Sequence, residues 1–128
     1  MENIKKLSVL IIDDEAIALF ISTKVIELSG VAGEVLTAQS AKEALEMLSG
    51  GCSPDVILID INMPVKNGFE FVEAFKELKI GRRENMKLVM LSSSINPNDF
   101  RRAAELGVET YLSKPLTLEK IEVILNAL

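Results

Sequence analysis

Four short apolar runs of the sequence each end close to side chains that could do chemistry. Three consecutive acids follow the first run, and single polar residues follow the other three: Asp13, Asp14, Glu15, Asp60, Ser92 and Lys114. Clustered carboxylates repel one another, so a site that gathers them either raises a pKa or recruits a cation. Oxygen ligands without histidine or cysteine favour a hard ion, which here predicts Mg²⁺. The chemistry that follows is phosphoryl transfer to a carboxylate, with the metal and Lys114 offsetting charge on the transferring group.

Each of these residues also has an ordinary structural interpretation. The acids at 13–15 could cap a helix, because negative charge is favoured at a helix N-terminus. Asp60 and Ser92 could form turns, and Lys114 could be a solvated surface lysine. The occurrence of all four features at successive run ends favours one shared site over four unrelated structural roles.

The composition excludes several other kinds of chemistry. The chain has no histidine, which removes Ser-His and Cys-His nucleophile pairs, histidine metal sites and a phosphohistidine of its own. Its one cysteine, Cys52, excludes an internal disulfide and a multi-cysteine zinc site. The net charge of −5 argues against a nucleic-acid partner, since binding to phosphates needs excess Lys and Arg.

Length and hydropathy predict one compact domain over residues 1–128 and no membrane segment. The chain has 128 residues, of which 48% are hydrophobic, which is enough for a single core. Its longest strongly apolar run, 16–21, is far shorter than the roughly 20 residues of a membrane helix. The N-terminus lacks the apolar stretch of a signal peptide, so we expect a cytoplasmic protein.

Short apolar runs alternate with helix signals along the whole chain. Five runs predict strands, at 7–12, 35–36, 56–59, 88–91 and 108–112. N-cap residues predict four helix starts, at Ser40, Asn67, Asn96 and Thr117, and a first helix fits 15–28. The alternation predicts an α/β fold in which five helices surround a doubly wound, five-stranded parallel sheet. Ligands of such sheets bind beyond the carboxyl ends of the strands, where the polar residues above would meet.

Taken in order, four segments resemble the receiver domain of two-component response regulators. They are residues 11–15, residues 58–64 with Gly68 after them, residues 90–92 and residues 111–115. The resemblance covers essentially all of the chain, and within the family the chain resembles single-domain chemotaxis regulators in particular. It implies the flavodoxin-like strand order 2-1-3-4-5.

The resemblance also implies a role for each residue of the site. Asp60 is the implied phosphoacceptor and, with Asp14, a direct ligand of Mg²⁺. Asp13 would act on the metal through water or as a supporting carboxylate, and the backbone carbonyl of Asn62 would be the remaining ligand. Lys114 would pair with Asp60 and then with a phosphoryl oxygen.

Other positions match the parts of a receiver that carry the signal onward. Ser92 stands where the family has Thr or Ser, and Tyr111 stands where it has a switch aromatic. The implied output is a repacked surface of the fourth helix, fifth strand and fifth helix. The Lys114-Pro115 bond is implied to be cis, which X-Pro bonds permit at low cost. Ser94 occupies a variable position that bears on the lifetime of the phosphate.

The implied partner is a histidine kinase or a histidine phosphotransfer protein, because the phosphoryl donor must come from outside this chain. In the family the first helix docks a histidine-bearing helical bundle. Ile17 and Phe20 are therefore the expected partner contacts, together with Pro115. The run 16–21 has two interpretations, a fully buried helix or an exposed apolar patch beside the acids. The downstream target is a protein that the sequence does not identify.

Three other functions stay open at this point. A phosphohydrolase of the haloacid-dehalogenase type would carry a second Asp where this chain has Asn62, and would need a cap domain. A pseudo-receiver would be an interaction module only, and it usually lacks acidic or lysine positions that are present here. A flavin-binding protein would need a phosphate-cradling loop after the first strand, where an acidic loop repels phosphate. We expect a signalling domain rather than a turnover enzyme, either standing alone or excised from a larger protein.

Overall fold

A computed structural model of the chain describes residues 6–93 and 96–128. Within these ranges, five strands alternate with five α-helices, and a short 3-10 helix lies at Arg83–Asn85. The strands are β1 (Leu7–Ile12), β2 (Ala32–Ala38), β3 (Val56–Asp60), β4 (Lys87–Ser92) and β5 (Thr110–Ser113). The helices are α1 (Ala16–Ser29), α2 (Ala41–Ser49), α3 (Gly68–Glu77), α4 (Pro97–Glu105) and α5 (Leu118–Asn126).

The five described strands form one parallel sheet in the order β2-β1-β3-β4-β5. The doubly wound α/β fold and the flavodoxin-like strand order are therefore confirmed. Ile12 of β1 pairs with Ile59 of β3, so the residues that follow each of them emerge side by side. Ser92 at the end of β4 pairs with Ser113 at the end of β5. This register brings all the polar strand ends of the sequence to one edge of the sheet.

Hydrophobic residues fill both faces of the sheet. Leu10 and Ile12 point into a core shared with α2, α3 and α4. Val9 and Ile11, which alternate with them, point into a second core that includes α1 and α5. A strand covered on both faces needs apolar side chains at every position. This explains why β1 and β3 appear in the sequence as almost continuous apolar runs, interrupted only by Ser8 in β1 and ended by Asp60 in β3.

The predicted helix starts are confirmed by side-chain caps. Ser40 accepts a hydrogen bond from the Glu43 amide at 3.0 Å. Asn67 and Glu70 form a reciprocal capping box at the start of α3. The side chains of Asn96 and Thr117 cap α4 and α5, each by accepting a hydrogen bond from a backbone amide in the first turn of its helix. At these four positions the cap residue therefore marks where the loop ends and the following helix begins.

Four strands differ from their predicted bounds, β3 and β4 by one residue at one or both ends and β2 and β5 by more. β2 spans Ala32–Ala38, where the apolar pattern predicted only 35–36. It is an edge strand, so polar positions such as Glu34 face solvent and interrupt the pattern. β5 begins at Thr110 and not at Val108, which is buried in the turn before it. Across the part of the chain that the structure describes, no helix has both the length and the apolar character to span a membrane.

Candidate functional site

Two buried carboxylates and a lysine meet at the carboxyl edge of the sheet. Asp13 follows β1 and Asp60 ends β3, and the two residues are 3% and 4% exposed. Lys114, just beyond β5, donates from Nζ to Asp13 Oδ2 at 2.6 Å. The same Nζ lies 3.1 Å from Asp60 Oδ1. The lysine therefore bridges both carboxylates, and it lies closer to Asp13 than to Asp60, with which the resemblance pairs it.

This environment shifts the pKa of both partners. Burial raises the pKa of Asp60 to about 6, and the negative charge of Asp13 adds to the rise against the opposing effect of Lys114. Burial lowers the pKa of Lys114, but the hydrogen bond with Asp13 and the charge of Asp60 outweigh it and leave a net rise. At neutral pH the site thus holds a protonated lysine and a mostly ionised Asp60.

The acids after β1 form a compact group of oxygen donors. Carboxylate oxygens of Asp13, Asp14 and Glu15 lie within 4.8 Å of one another. Asp13 Oδ1 accepts a hydrogen bond from the Glu15 amide at 2.9 Å, which fixes its orientation. Asp14 Oδ1 is buried and has no hydrogen-bond partner among the described residues. A buried carboxylate oxygen without a partner is costly, and an oxygen-only set suits a hard cation. The residues present therefore fit Mg²⁺.

The loop after β3 depends on a close approach by Gly68. A Cβ at this position would lie 2.7 Å from the carbonyl oxygen of Asp60 and 2.9 Å from the Ile61 Cα. The Gly68 amide also donates to the Ile61 carbonyl oxygen at 2.9 Å. Only glycine fits here, and the contact fixes the backbone that carries Asp60. Asn62 lies in the same loop with its side chain exposed.

Ser92 and Tyr111 lie on neighbouring strands, on the side of the site that faces α4. Ser92 is fully buried, and its carbonyl oxygen accepts a hydrogen bond from the Lys114 amide at 2.7 Å. The half-buried Tyr111 ring packs edge-to-face against Phe100 of α4, with ring centroids 5.6 Å apart. Tyr111 also lines an open, mainly apolar groove of about 660 Å³ along α4. Ser94 lies outside the described residues.

An apolar patch on α1 lies beyond the acids. Ile17 is 76% exposed and Phe20 is 63% exposed, so the run 16–21 is not fully buried. Lys24 lies 5.5 Å from the centroid of the Phe20 ring. Pro115, also exposed, follows a cis peptide bond with Lys114, which is the bond geometry that the resemblance implies.

The family model of the response regulator receiver domain matches residues 9–126 of this chain. The chain belongs to this family. The chain is therefore a receiver domain of two-component signalling, a family whose members generally act in signalling rather than as turnover enzymes.

Similar proteins have the same fold and sequence features. The receiver domain is 29% identical to "Two-component response regulator 24" of Arabidopsis thaliana, over 96% of this chain and 84% of the relative. It is 32% identical to "Sensor histidine kinase CheAY" of Helicobacter pylori, over 92% of this chain but only 14% of that protein. The crystal structure of a two-component response regulator from Cytophaga hutchinsonii superimposes with a TM-score of 0.88. It shares 34% identity and covers 96% of this chain and 97% of its own.

The structure of this receiver domain brings most of the expected site residues together and adds others. Asp13, Asp60 and Lys114 are in direct contact through the lysine. Glu15, which sequence reasoning left out of the ligand set, joins the acidic group. Its position beside two acids was the signal for this. The packing of Gly68 on the loop backbone was also missed, although its place in the motif marked the residue.

Proposed function

We propose that this receiver domain accepts a phosphoryl group on Asp60 from a phosphohistidine of a partner protein. The observation that carries the proposal is the buried Asp60 carboxylate, held 3.1 Å from the Lys114 ammonium beside a group of acids. A pseudo-receiver would not need this arrangement. The haloacid-dehalogenase alternative has no second Asp at Asn62.

The transfer uses the ionised form of Asp60. One carboxylate oxygen attacks phosphorus and forms a P–O bond, while the P–N bond to the donor histidine breaks. The electron pair of that bond stays on the imidazole nitrogen, and the donor ring, protonated on its other nitrogen before the transfer, leaves as neutral imidazole. The pKa of Asp60, raised by burial to about 6, still leaves most of the carboxylate ionised at pH 7. Lys114 offsets negative charge on the transferring group from its position between the two carboxylates.

Asp13, Asp14, Asp60 and the backbone carbonyl of Asn62 are the proposed ligands of Mg²⁺. When bound, the ion supplies positive charge for the phosphoryl oxygens. The buried Asp14 Oδ1, without a partner among the described residues, supports this assignment. Binding of the metal would give that oxygen a partner and reduce repulsion among the acids.

Ser92 and Tyr111 are the proposed residues that carry the signal from the site. A phosphoryl group adds negative charge at the strand ends, and the Ser92 hydroxyl can donate to one of its oxygens. Its movement toward the site would free space near the start of α4, which the Tyr111 ring could then fill from its place beside Phe100. The result would be a changed α4-β5-α5 surface for a downstream protein.

The proposed partner is a histidine kinase or a histidine phosphotransfer protein that docks on α1. The exposure of Ile17 and Phe20 beside the acidic group supports this, and Pro115 extends the surface. Addition of a phosphotransfer bundle should protect the amides of α1 around these residues from hydrogen exchange. Protection on α4 alone would contradict this docking surface. A cytoplasmic location and the lack of a nucleic-acid partner stay predictions.

Intact mass measurement after incubation with Mg²⁺ and acetyl phosphate tests the phosphoacceptor role. One phosphoryl group should add, it should require Mg²⁺, and base or hydroxylamine should remove it as expected of an acyl phosphate. Asp60→Asn should abolish the addition, whereas Asp99→Asn, in the first turn of α4, should not. Phosphate on a serine of the unchanged protein would contradict the assignment, and steady release of phosphate from simple esters would favour the phosphohydrolase.

A further inference from the structure

A second lysine, Lys120, holds the segment 113–115, which carries Lys114. Lys120 lies in the first turn of α5, and its Nζ lies 2.6 Å from the Ser113 carbonyl oxygen and 2.9 Å from the Pro115 carbonyl oxygen. The same Nζ lies 3.2 Å from Ser113 Oγ. An ammonium has three protons to donate, so these three acceptors use its full capacity. All three acceptors belong to the residues on either side of Lys114.

The position of Lys120 is unfavourable for helix α5 itself. The first turn of a helix carries partial positive charge, where a cation is disfavoured and an acid is favoured. Thr117, which accepts the Lys120 amide at 3.2 Å, and the acidic Glu119 already suit this end of the helix. The contacts of the Lys120 ammonium with the preceding segment therefore explain the lysine better than helix stability does.

The position of Lys114 depends on that segment. Its side chain is a flexible four-carbon stem, so the position of the Lys114 backbone determines which atoms Nζ can reach. The Lys114 amide is fixed on one side by its hydrogen bond to the Ser92 carbonyl oxygen at 2.7 Å. Lys120 fixes the carbonyl of Ser113, just before Lys114, and the carbonyl of Pro115, just after it.

We propose that Lys120 is a positioning residue for phosphorylation of Asp60. It acts through Lys114, by holding the backbone so that the Lys114 ammonium reaches both Asp13 and Asp60. The inference rests on the proposed function, because it concerns the rate of the same reaction. It assigns no contact between Lys120 and the phosphoryl group.

Lys120→Met tests the proposal, because it removes the ammonium and keeps most of the stem. The rate of Asp60 phosphorylation at saturating acetyl phosphate should fall about 10-fold, since small misplacements of a positioned group slow transfer. The Mg²⁺ dissociation constant should change by less than about 2-fold, because the acids are not altered. Lys120→Arg keeps a cationic donor and should restore most of the rate. Lys42→Met, at an exposed lysine in the first turn of α2, is the matched control and should leave the rate unchanged.

A double-mutant cycle separates action through Lys114 from a general effect. In a Lys114→Met background, Lys120→Met should cause no further loss of rate, because the group that it positions is gone. An equal loss in both backgrounds would overturn the proposal. So would a rate for Lys120→Met equal to that of the unchanged protein, or a parallel loss of Mg²⁺ affinity.

Hydrogen exchange gives a readout that does not need phosphorylation. The Lys114 amide should exchange about 10-fold faster in Lys120→Met, because the segment opens more often. The Asp13 amide, bonded to the Ala38 carbonyl oxygen at 3.1 Å, should not change. Unchanged exchange at Lys114 would overturn the positioning role. If the unchanged protein takes up no phosphate at all, the proposed function fails and the role of Lys120 in it fails too, whereas this exchange comparison still decides whether Lys120 holds the segment.

Discussion

Asp60→Asn should make this receiver domain more stable at neutral pH in the absence of metal. Burial, with the charges of Asp13 and Asp14, raises the pKa of Asp60 from 3.8 to about 6, against the opposing effect of Lys114. The folded state therefore holds this proton more tightly than the unfolded chain does. Stability is greatest below the unfolded pKa and falls as the pH rises through the folded pKa.

The size of the effect follows from the shift. At about 1.4 kcal/mol for each pKa unit, the ionised Asp60 lowers the free energy of unfolding by about 3 kcal/mol above pH 7. Asparagine has nearly the same shape and carries no charge, and Asp13 still pairs with Lys114 at 2.6 Å. The expected gain for Asp60→Asn is thus up to about 3 kcal/mol at pH 7.5, falling to about half of that at pH 5. The melting temperature at pH 7.5 should rise by on the order of 10 °C.

Urea unfolding followed by circular dichroism, with excess EDTA, measures this gain at several pH values. EDTA is included to remove divalent cations, because a cation bound to the acids would stabilise the folded state of the wild-type protein by mass action. Asp99→Asn, at a carboxylate in the first turn of α4, is the control and should show no gain that grows with pH. If Asp60→Asn destabilises the domain at pH 7.5, or if its gain is the same at pH 5, the ionised carboxylate is not under electrostatic strain and the reasoning is wrong.

Four further substitutions probe the metal, the loop and the switch. Asp14→Ala should weaken Mg²⁺ binding, measured by calorimetry, by more than Glu15→Ala does. The reason is that Asp14 offers a buried oxygen without a partner among the described residues. Equal losses of affinity would contradict the proposed set of metal ligands. Gly68→Ala should lower stability in thermal melts by about 1–3 kcal/mol, because its methyl group would lie 2.7 Å from a backbone carbonyl oxygen. Ser92→Ala should leave phosphorylation largely intact but reduce the change in Tyr111 fluorescence on phosphorylation; loss of phosphorylation itself would refute the proposed switch.

The sequence predicted the parts of the fold that depend on local pattern. β1 is apolar apart from Ser8 and β3 apart from Asp60, because both sheet faces are covered, and this gives a nearly unbroken run that is easy to recognise. Side-chain caps such as Asn67 and Thr117 act within three residues, so they too can be read locally. The edge strand β2 was underestimated because its solvent-facing residues break the apolar pattern. The strand order came from the resemblance to receiver domains, since periodicity says nothing about which strands are neighbours.

The site was predicted in its residue types and less well in its contacts. Lys114 was expected to pair with Asp60, but it also contacts Asp13, which is 101 residues away and reaches it only through the strand order. The role of Lys120 was not predicted at all, because a lysine on a helix surface has the same local signal whether its ammonium faces water or a carbonyl. Such contacts depend on the path of a loop and the choice of rotamers, which residue spacing does not determine.

The charges at the strand ends explain why one added group could alter a distant surface. Asp13 and Asp60 contact a single ammonium, and Asp14 and Glu15 lie beside Asp13, so the site carries an excess of three negative charges when all four acids are ionised. A divalent cation would offset two of these charges. A phosphoryl group on Asp60 replaces one negative charge with up to about two. Lys114 already contacts Asp13 and Asp60, so it cannot neutralise this additional negative charge as well. In the proposed mechanism the Ser92 hydroxyl on β4 responds to this charge, and its movement would disturb the packing of the Tyr111 ring against α4. The excess charge would then link the chemistry at β3 to the shape of the α4-β5-α5 surface.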